Sequence, residues 1–349
     1  MSFLRFSAYF FTIIILSGCV AERVKNGNTF RPDVMIDGAT SQKEICLRDK
    51  QSVWVSWQKQ SECLKYFSHG LKDNTKQAMV YLHPSFASLE LVGQYVTDVS
   101  EVYNTFTPGF MQAVAYSNAS RADMPFIFIG RPGTFGSSGY HGEQFGEGNH
   151  RLINAALNQI KAKHGIEKLV IASQGSGSNV AASLLTWRND ISCAVLSNYR
   201  GSNLDYLDQK FNAHAVRESG IQMAYDPALH VDQIPTNKNR QIILLHDQVG
   251  TGETVESVGI YTYKVQQYGH NVKLFDMTYS IKKDNNHPLG LNVLIAAACA
   301  HELPTNNYVK TIHNAPSVFN VIPAIQNAQG QDMQGIVETL TQLKSLSEN

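Results

Sequence analysis

The sequence predicts an α/β fold in which a mostly parallel central sheet is covered by helices on both faces. Short, almost wholly apolar runs at 78–83, 125–130, 168–173 and 241–246 fit strands that are buried on both faces. Helix-like segments separate these runs, and the connections are short. This alternation is typical of a parallel sheet with right-handed crossovers.

The individual elements follow in order along the chain. The segments 52–58 and 63–71 alternate between apolar and polar residues, which predicts early antiparallel strands. Two further apolar runs, at 191–197 and 272–279, predict additional buried strands. Helical periodicity is found between the strands, at 150–165, 179–187 and 254–269.

The first 19 residues have the composition of an export signal. Arg5 precedes an apolar run from Phe6 to Leu16, which is too short for a bilayer span of about 20 apolar residues. The following "LSGC" resembles the bacterial lipobox, which implies cleavage before Cys19 and lipid attachment to that residue. Because Val20 follows instead of aspartate, the resemblance favours the outer membrane, with the body facing the periplasm or the cell surface. An uncleaved anchor is the alternative.

Three regions are expected after this start. Residues 1–18 form the signal peptide, residues 19–50 a polar tether, and residues 51–349 the folded domain. The irregular segment 199–240 is a candidate for a small lid. The chain carries 29 basic and 29 acidic residues, so its charge does not favour a nucleic-acid partner, which usually requires a basic excess.

Four cysteines remain once Cys19 is assigned to lipid attachment. Cys46 and Cys63 are close in sequence and precede the main core, so a disulfide between them is predicted for an oxidising compartment. Cys193 and Cys299 fall in apolar segments and are expected to be buried free thiols. The cysteine and histidine spacing has no zinc-site pattern, and neither a metal nor a cofactor is expected.

A turn rich in glycine and serine follows the run 168–173. A phosphate-binding P-loop would need a lysine that is absent, and a dinucleotide turn would need a third glycine. The remaining alternative is a nucleophile elbow, a strained strand-to-helix turn that presents a serine above the sheet. Ser173 is the predicted nucleophile, because it directly follows the strand and Gly175 comes two residues later. Ile171 stands where this pattern has glycine.

The order of segments from residue 52 to residue 300 resembles the α/β-hydrolase fold. "YLHPS" (81–85) is similar to the family's strand end before the oxyanion loop, and "FIFIGRPGTFGSSG" (126–139) to the next strand and its turn. "DPALHVDQIP" before "QIILLH", and a histidine-containing loop after the last strand, resemble the prolyl-oligopeptidase and dienelactone-hydrolase branches. The resemblance implies a three-layer α/β-hydrolase fold and a serine hydrolase.

The family's chain order of serine, acid and histidine assigns the partners of Ser173. His287 follows the last predicted strand and is the expected general base, since a serine hydroxyl is a poor nucleophile until a base takes its proton. The acid is expected shortly after the run 241–246. Asp247 is preferred because it lies close to the strand end, and Glu253 is the alternative acid.

An oxyanion hole needs two backbone N–H groups. Gln174 is expected to supply one and Ser85 the other, because Pro84 has no N–H; Phe86 is the alternative to Ser85. The sequence thus predicts a lipid-anchored serine hydrolase that cleaves a carboxylic ester or a short peptide through an acyl-enzyme on Ser173. The alternative is a non-catalytic lipoprotein of the same fold that binds a ligand or a protein partner. Two departures favour it: Ile171 replaces the first glycine of the elbow pattern, and Gly250 stands four residues past His246, where the resemblance places the acid.

Overall fold

The computed structural model of the protein describes residues 29–90, 95–202, 225–246, 255–276, 290–304 and 306–308. These residues form a large sheet, a separate small sheet, and helices on both faces of the large sheet. The strands are β1 (Ser52–Trp57), β2 (Gln60–His69), β3 (Gln77–Leu82), β4 (Ala87–Glu90), β5 (Tyr95–Val99), β6 (Phe126–Ile129), β7 (Lys168–Gln174), β8 (Ile191–Ser197), β9 (Gln241–His246) and β10 (Val272–Asp276). The helices are α1 (Pro32–Asp37), α2 (Lys43–Cys46), α3 (Pro108–Ala122), α4 (Glu147–His164), α5 (Ser176–Trp187), α6 (Val255–Gln267) and α7 (Leu291–Ala300).

The large sheet has eight strands in the order β1-β2-β6-β3-β7-β8-β9-β10. β2 runs antiparallel to both of its neighbours, β1 and β6. Every other pair of neighbours in this sheet is parallel, whereas β4 and β5 form a separate antiparallel pair. The fold class predicted from the alternating apolar runs is confirmed. The chain has the α/β-hydrolase fold.

The central strands separate two apolar cores. Along β7, Leu169 and Ile171 face one core, and Val170 and Ala172 face the other, as the two-residue period of a strand requires. Helices α4, α5 and α6 cover the first face, and α3 and α7 cover the second. Because both faces are covered, these strands are continuously apolar and do not alternate with polar residues.

Residues 29–50, expected to belong to the tether, pack against the domain instead. Phe30 and Met35 are buried in the same core as α3 and α7. Cys46 in α2 is bonded to Cys63 in β2, so the predicted disulfide is present. Two buried apolar side chains and one disulfide thus hold this segment against the domain.

A second disulfide joins Cys193 in β8 to Cys299 in α7. Both residues are buried as expected, but the expectation of free thiols was wrong. The two sulfurs meet because α7 packs across β7 and β8. The cysteines are 106 residues apart in sequence, so no local pattern indicates their encounter.

The candidate lid is described only in part. Residues 203–224 lie outside the described residues, as does Cys19. The remaining part forms two short 3-10 turns, Pro227–Leu229 and Val231–Gln233, which pack against α5. Of the helices in the described ranges, none is both long enough and apolar enough to cross a membrane.

Candidate functional site

The parallel strands β3, β6 and β7 end at one edge of the sheet, which is where folds of this class place their ligands. β7 passes into α5 through the single residue Gly175, whose backbone has φ 54° and ψ −124°. Residues other than glycine rarely adopt a positive φ because of the strain involved. This is the sharp strand-to-helix turn that an elbow requires, and it is centred on Gly175.

Ser173 lies within β7 and not on the turn. Its side chain is 0% exposed. The hydroxyl donates a hydrogen bond to the carbonyl oxygen of Val195 at 2.7 Å, and it lies 3.0 Å from the hydroxyl oxygen of Ser178. The expected exposed position of Ser173 is therefore corrected, because the strand continues further than the sequence pattern indicated.

With the elbow centred on Gly175, Ile171 no longer falls at the position where the G-x-S-x-G pattern has its first glycine. The small residues Ser173 and Gly177 now stand two positions before and two positions after the centre, as the G-x-S-x-G pattern requires of its flanking positions. The central position holds the nucleophile in that pattern. Here a glycine occupies it, so the turn presents no side chain.

The two glycines of the turn have different surroundings. A Cβ at Gly177 would lie 2.2 Å from the carbonyl oxygen of Leu82 and 2.6 Å from that of His83. A Cβ at Gly175 would meet the Cβ of Pro84 at 3.4 Å, which is close to ordinary contact. The packing of α5 against the end of β3 thus excludes any side chain at position 177, whereas position 175 has room for one.

The predicted oxyanion donors lie near the turn, but their assignment changes. The residue that follows the centre of the elbow is Ser176 and not Gln174. The side chain of Gln174 is buried, and its amide oxygen Oε1 accepts a hydrogen bond from the hydroxyl of Tyr81 at 3.2 Å. Ser85 is partly exposed, and its Oγ lies 3.0 Å from Nε2 of His141.

The predicted base and acid cannot be placed. His287, Asp247 and Glu253 lie outside the described residues, so the roles assigned to them stay predictions. Within the described part of the chain, no group of three or more His, Cys, Asp or Glu side chains is arranged to hold a metal ion.

A buried arginine that the sequence analysis did not single out reaches the turn from the end of β6. Arg131 is 2% exposed, and its Nη2 donates to Oγ of Ser176 at 3.0 Å and to Oε1 of Gln144 at 3.4 Å. Its Nε and Nη1 have no hydrogen-bond partner among the described residues. No ion pair in the described ranges involves it. Burial lowers the pKa of Arg131 to about 9, so the guanidinium is still charged at neutral pH.

Three buried histidines, His83, His141 and His150, surround this arginine. Burial lowers the pKa of each imidazole, well below its usual range for the first two and to about 4 for His150, and the charge of Arg131 lowers all three further. The rings are therefore neutral at neutral pH. Nδ1 of His83 donates to the carbonyl oxygen of Pro84 at 2.7 Å, since its Nε2 accepts from the backbone N–H of Arg131.

No protein-family model and no curated protein matches the chain. Solved structures resemble it in shape. The acylaminoacyl peptidase of Pyrococcus horikoshii is 10% identical, with a TM-score of 0.45 over 75% of this chain and 43% of the peptidase. The Pyrococcus furiosus esterase Pf2001 is 13% identical, with a TM-score of 0.47 over 81% of this chain and 98% of the esterase.

This chain therefore spans less than half the length of the peptidase. The order and directions of the strands in the large sheet, and not these similarities, assign the fold.

Proposed function

We propose that this protein is a non-hydrolytic ligand-binding protein built on the α/β-hydrolase fold and attached to a membrane through Cys19. The observation that carries the proposal is Gly175 at the centre of the elbow. Covalent hydrolysis on such a turn needs a side-chain nucleophile at that position, and glycine supplies none. The enclosed hydroxyl of Ser173, bonded to the carbonyl oxygen of Val195, also supports the proposal.

The turn keeps its shape although it has no nucleophile. Gly175 retains the positive φ of an elbow, and Gly177 retains the close approach of α5 to the end of β3. The start of α5 therefore remains next to the loop that carries Pro84. A helix start offers backbone N–H groups and a partial positive charge to a ligand, so the site is suited to binding even without covalent chemistry.

The competing function is the serine hydrolase predicted from the sequence. It forms an acyl-enzyme on Ser173, with His287 as base and Asp247 or Glu253 as acid, and cleaves an ester or a short peptide. The fold is compatible with it. However, the hydroxyl of Ser173 is buried between the sheet and α5, 3.0 Å from the hydroxyl oxygen of Ser178, so it would have to leave this enclosed position before it met a substrate.

Fluorophosphonate labelling and p-nitrophenyl ester hydrolysis of the full chain distinguish the two functions. We expect no label and no turnover above the uncatalysed rate. Labelling that disappears in Ser173→Ala, but persists in the matched variant Ser178→Ala, would establish the hydrolase and overturn our proposal. Labelling that survives both substitutions would assign hydrolysis to another nucleophile and would overturn it as well.

Membrane attachment is the second part of the proposal. The "LSGC" ending at Cys19 supports it, and the disulfides Cys46–Cys63 and Cys193–Cys299 fit an exported protein, because such bonds persist in oxidising compartments. We expect Cys19→Ser to move the protein from the outer-membrane fraction to another fraction. If this variant stays in the outer membrane, lipid on Cys19 is not the attachment.

A further inference from the structure

We propose that the turn between β7 and α5 binds a carboxylate group, held by the hydroxyl and backbone N–H of Ser176 and by the charge of Arg131. The inference rests on the proposed non-hydrolytic function, because the turn must hold its ligand without attacking it. It goes further by naming the chemical class of the ligand and the residues that recognise it.

The polar network beside the turn has more donors than acceptors. Nη2 of Arg131 donates to Ser176 and Gln144, and Nε2 of Gln144 donates in turn to Oγ of Ser85 at 3.4 Å. Nε and Nη1 of Arg131 find no acceptor in the described part of the chain. Because the oxygen of Ser176 already accepts from the guanidinium, the network offers a ligand a donor, so a ligand that brings acceptor oxygens suits it better than one that brings donors.

Ser176 is the member of the network that a ligand can reach. It is partly exposed, as is Gly175 beside it, whereas Arg131 is buried. Because the oxygen of Ser176 accepts a hydrogen bond from the guanidinium, its own O–H is available to donate to a ligand. A hydroxyl polarised by a buried cation is a stronger donor than an isolated one.

The start of α5 adds a second donor at the same place. Ser176 is the first residue of this helix of 12 residues, and the N–H groups of a first helical turn have no acceptor within the helix. The helix dipole further favours negative charge at this end. The hydroxyl and the N–H of one residue are thus available to one carboxylate.

The charge of the site favours a carboxylate over a phosphate. Arg131 is the charged member of the network, and the neighbouring imidazoles of His83 and His141 are neutral because burial lowers the pKa of each. A carboxylate carries one negative charge, which matches one guanidinium, whereas a phosphate monoester carries about two. A buried cation without a partner is costly, and a bound carboxylate reduces that cost.

Calorimetric titration of the full chain with benzoate at constant ionic strength tests the proposal. Benzamide, which has a similar shape but no charge, is the matched ligand, and inorganic phosphate is the competing anion. We expect benzoate to bind and the other two compounds to show no heat of binding. We expect Ser176→Ala to weaken benzoate binding by about tenfold, since it removes a hydrogen bond to a charged group.

Ser178→Ala is the matched control variant. It removes a hydroxyl from the same helical turn, but this hydroxyl donates to the carbonyl oxygen of Ser197 on the buried side of the turn. We expect it to bind benzoate like the wild type. Arg131→Gln removes the charge and should abolish binding. Should that variant not fold, Ser176→Ala, which keeps the guanidinium and removes a partly exposed hydroxyl together with its hydrogen bond to Arg131, still decides the question.

The proposal is overturned if wild-type protein does not bind benzoate, if benzamide or phosphate binds as tightly, or if Ser176→Ala binds benzoate unchanged. These results are separate from a failure of the proposed function. If the protein neither reacts with fluorophosphonate nor binds benzoate, only the proposal of a carboxylate site is overturned. If the protein reacts with fluorophosphonate, the proposed non-hydrolytic function is overturned, whether or not benzoate binds.

Discussion

Ser173 and Ser176 lie on opposite sides of the turn between β7 and α5, and their surroundings differ. Ser173 is buried between the sheet and α5, and the carbonyl oxygen of Val195 accepts a hydrogen bond from its hydroxyl. Ser176 is partly exposed, and its oxygen accepts a hydrogen bond from the buried guanidinium of Arg131. Three positions along the chain thus separate a hydroxyl that stabilises the sheet from one that is available to a ligand.

The difference shows that the register of the turn, and not the presence of serine, decides what a hydroxyl can do. Gly175 lies between the two serines and occupies the centre of the elbow, where a nucleophilic side chain would otherwise stand. Substitutions around that position test two expectations. The buried side, with Ser173, should contribute to stability and not to ligand binding, whereas ligand binding should depend on Ser176.

The largest effect is expected from Gly177→Ala, which should lower the free energy of unfolding by about 3 kcal/mol, the upper end of the usual cost of overpacking. The added methyl would overlap the carbonyl oxygens of Leu82 and His83, which belong to the backbone and cannot rotate away. Urea unfolding measures this loss. Stability equal to that of the wild type would show that α5 does not approach β3 as closely as described.

The buried cluster beside Ser176 should make the protein sensitive to acid. The pKa of His150 is about 4 in the folded state, against roughly 6.5 in the unfolded chain. Between these values the unfolded state binds more protons, so the contribution of this residue is complete above the unfolded pKa and is lost as the pH falls toward 4. The expected loss from this residue is about 2 kcal/mol on going from about pH 7 to about pH 5.

Unfolding measured at both pH values in His150→Gln tests this expectation, because the substitution removes the titrating group. The matched variant His69→Gln changes an exposed imidazole and should keep the acid sensitivity of the wild type. Identical pH dependence in the wild type and His150→Gln would contradict a neutral, buried His150.

Gly175→Ala should destabilise the protein by about 1–2 kcal/mol, because alanine is strained at a positive φ. The methyl itself has room beside Pro84, so the loss should be smaller than for Gly177→Ala. Thermal unfolding of the two variants side by side measures the difference. The reverse order of stabilities would mean that the turn is not centred on Gly175.

The smallest effect is expected from Ser173→Ala, about 1 kcal/mol of stability, through loss of the hydrogen bond to Val195. Benzoate binding should not change in this variant. Ser176→Ala should weaken benzoate binding, and it should also lower stability, because it removes one of the two side-chain acceptors of the buried guanidinium of Arg131. If both variants lose binding equally, the two sides of the turn are not functionally distinct.

Much of the fold could be predicted from local patterns. Strands buried on both faces are continuously apolar, so β3, β6, β7 and β9 stand out in the sequence. The disulfide Cys46–Cys63 joins neighbouring segments and could be predicted as well. By contrast, Cys193–Cys299 depends on how α7 crosses the sheet, which no single segment encodes.

The site was harder to predict because its register depends on where β7 ends. The hydroxyl of Ser173 is hydrogen-bonded to the neighbouring strand, and β7 continues to Gln174. The turn therefore falls at Gly175. A search for a serine nucleophile does not consider a glycine at that position. Arg131 was missed for another reason: its burial and its lack of a described acceptor arise from packing among loops that are distant in sequence.

Intact-mass spectrometry of the full chain after exposure to a fluorophosphonate tests the central claim most directly. Because Gly175 stands at the centre of the elbow, we predict that the mass of the treated protein equals that of the untreated protein. A stoichiometric adduct that peptide mapping assigns to Ser173 would contradict the account and restore the serine hydrolase.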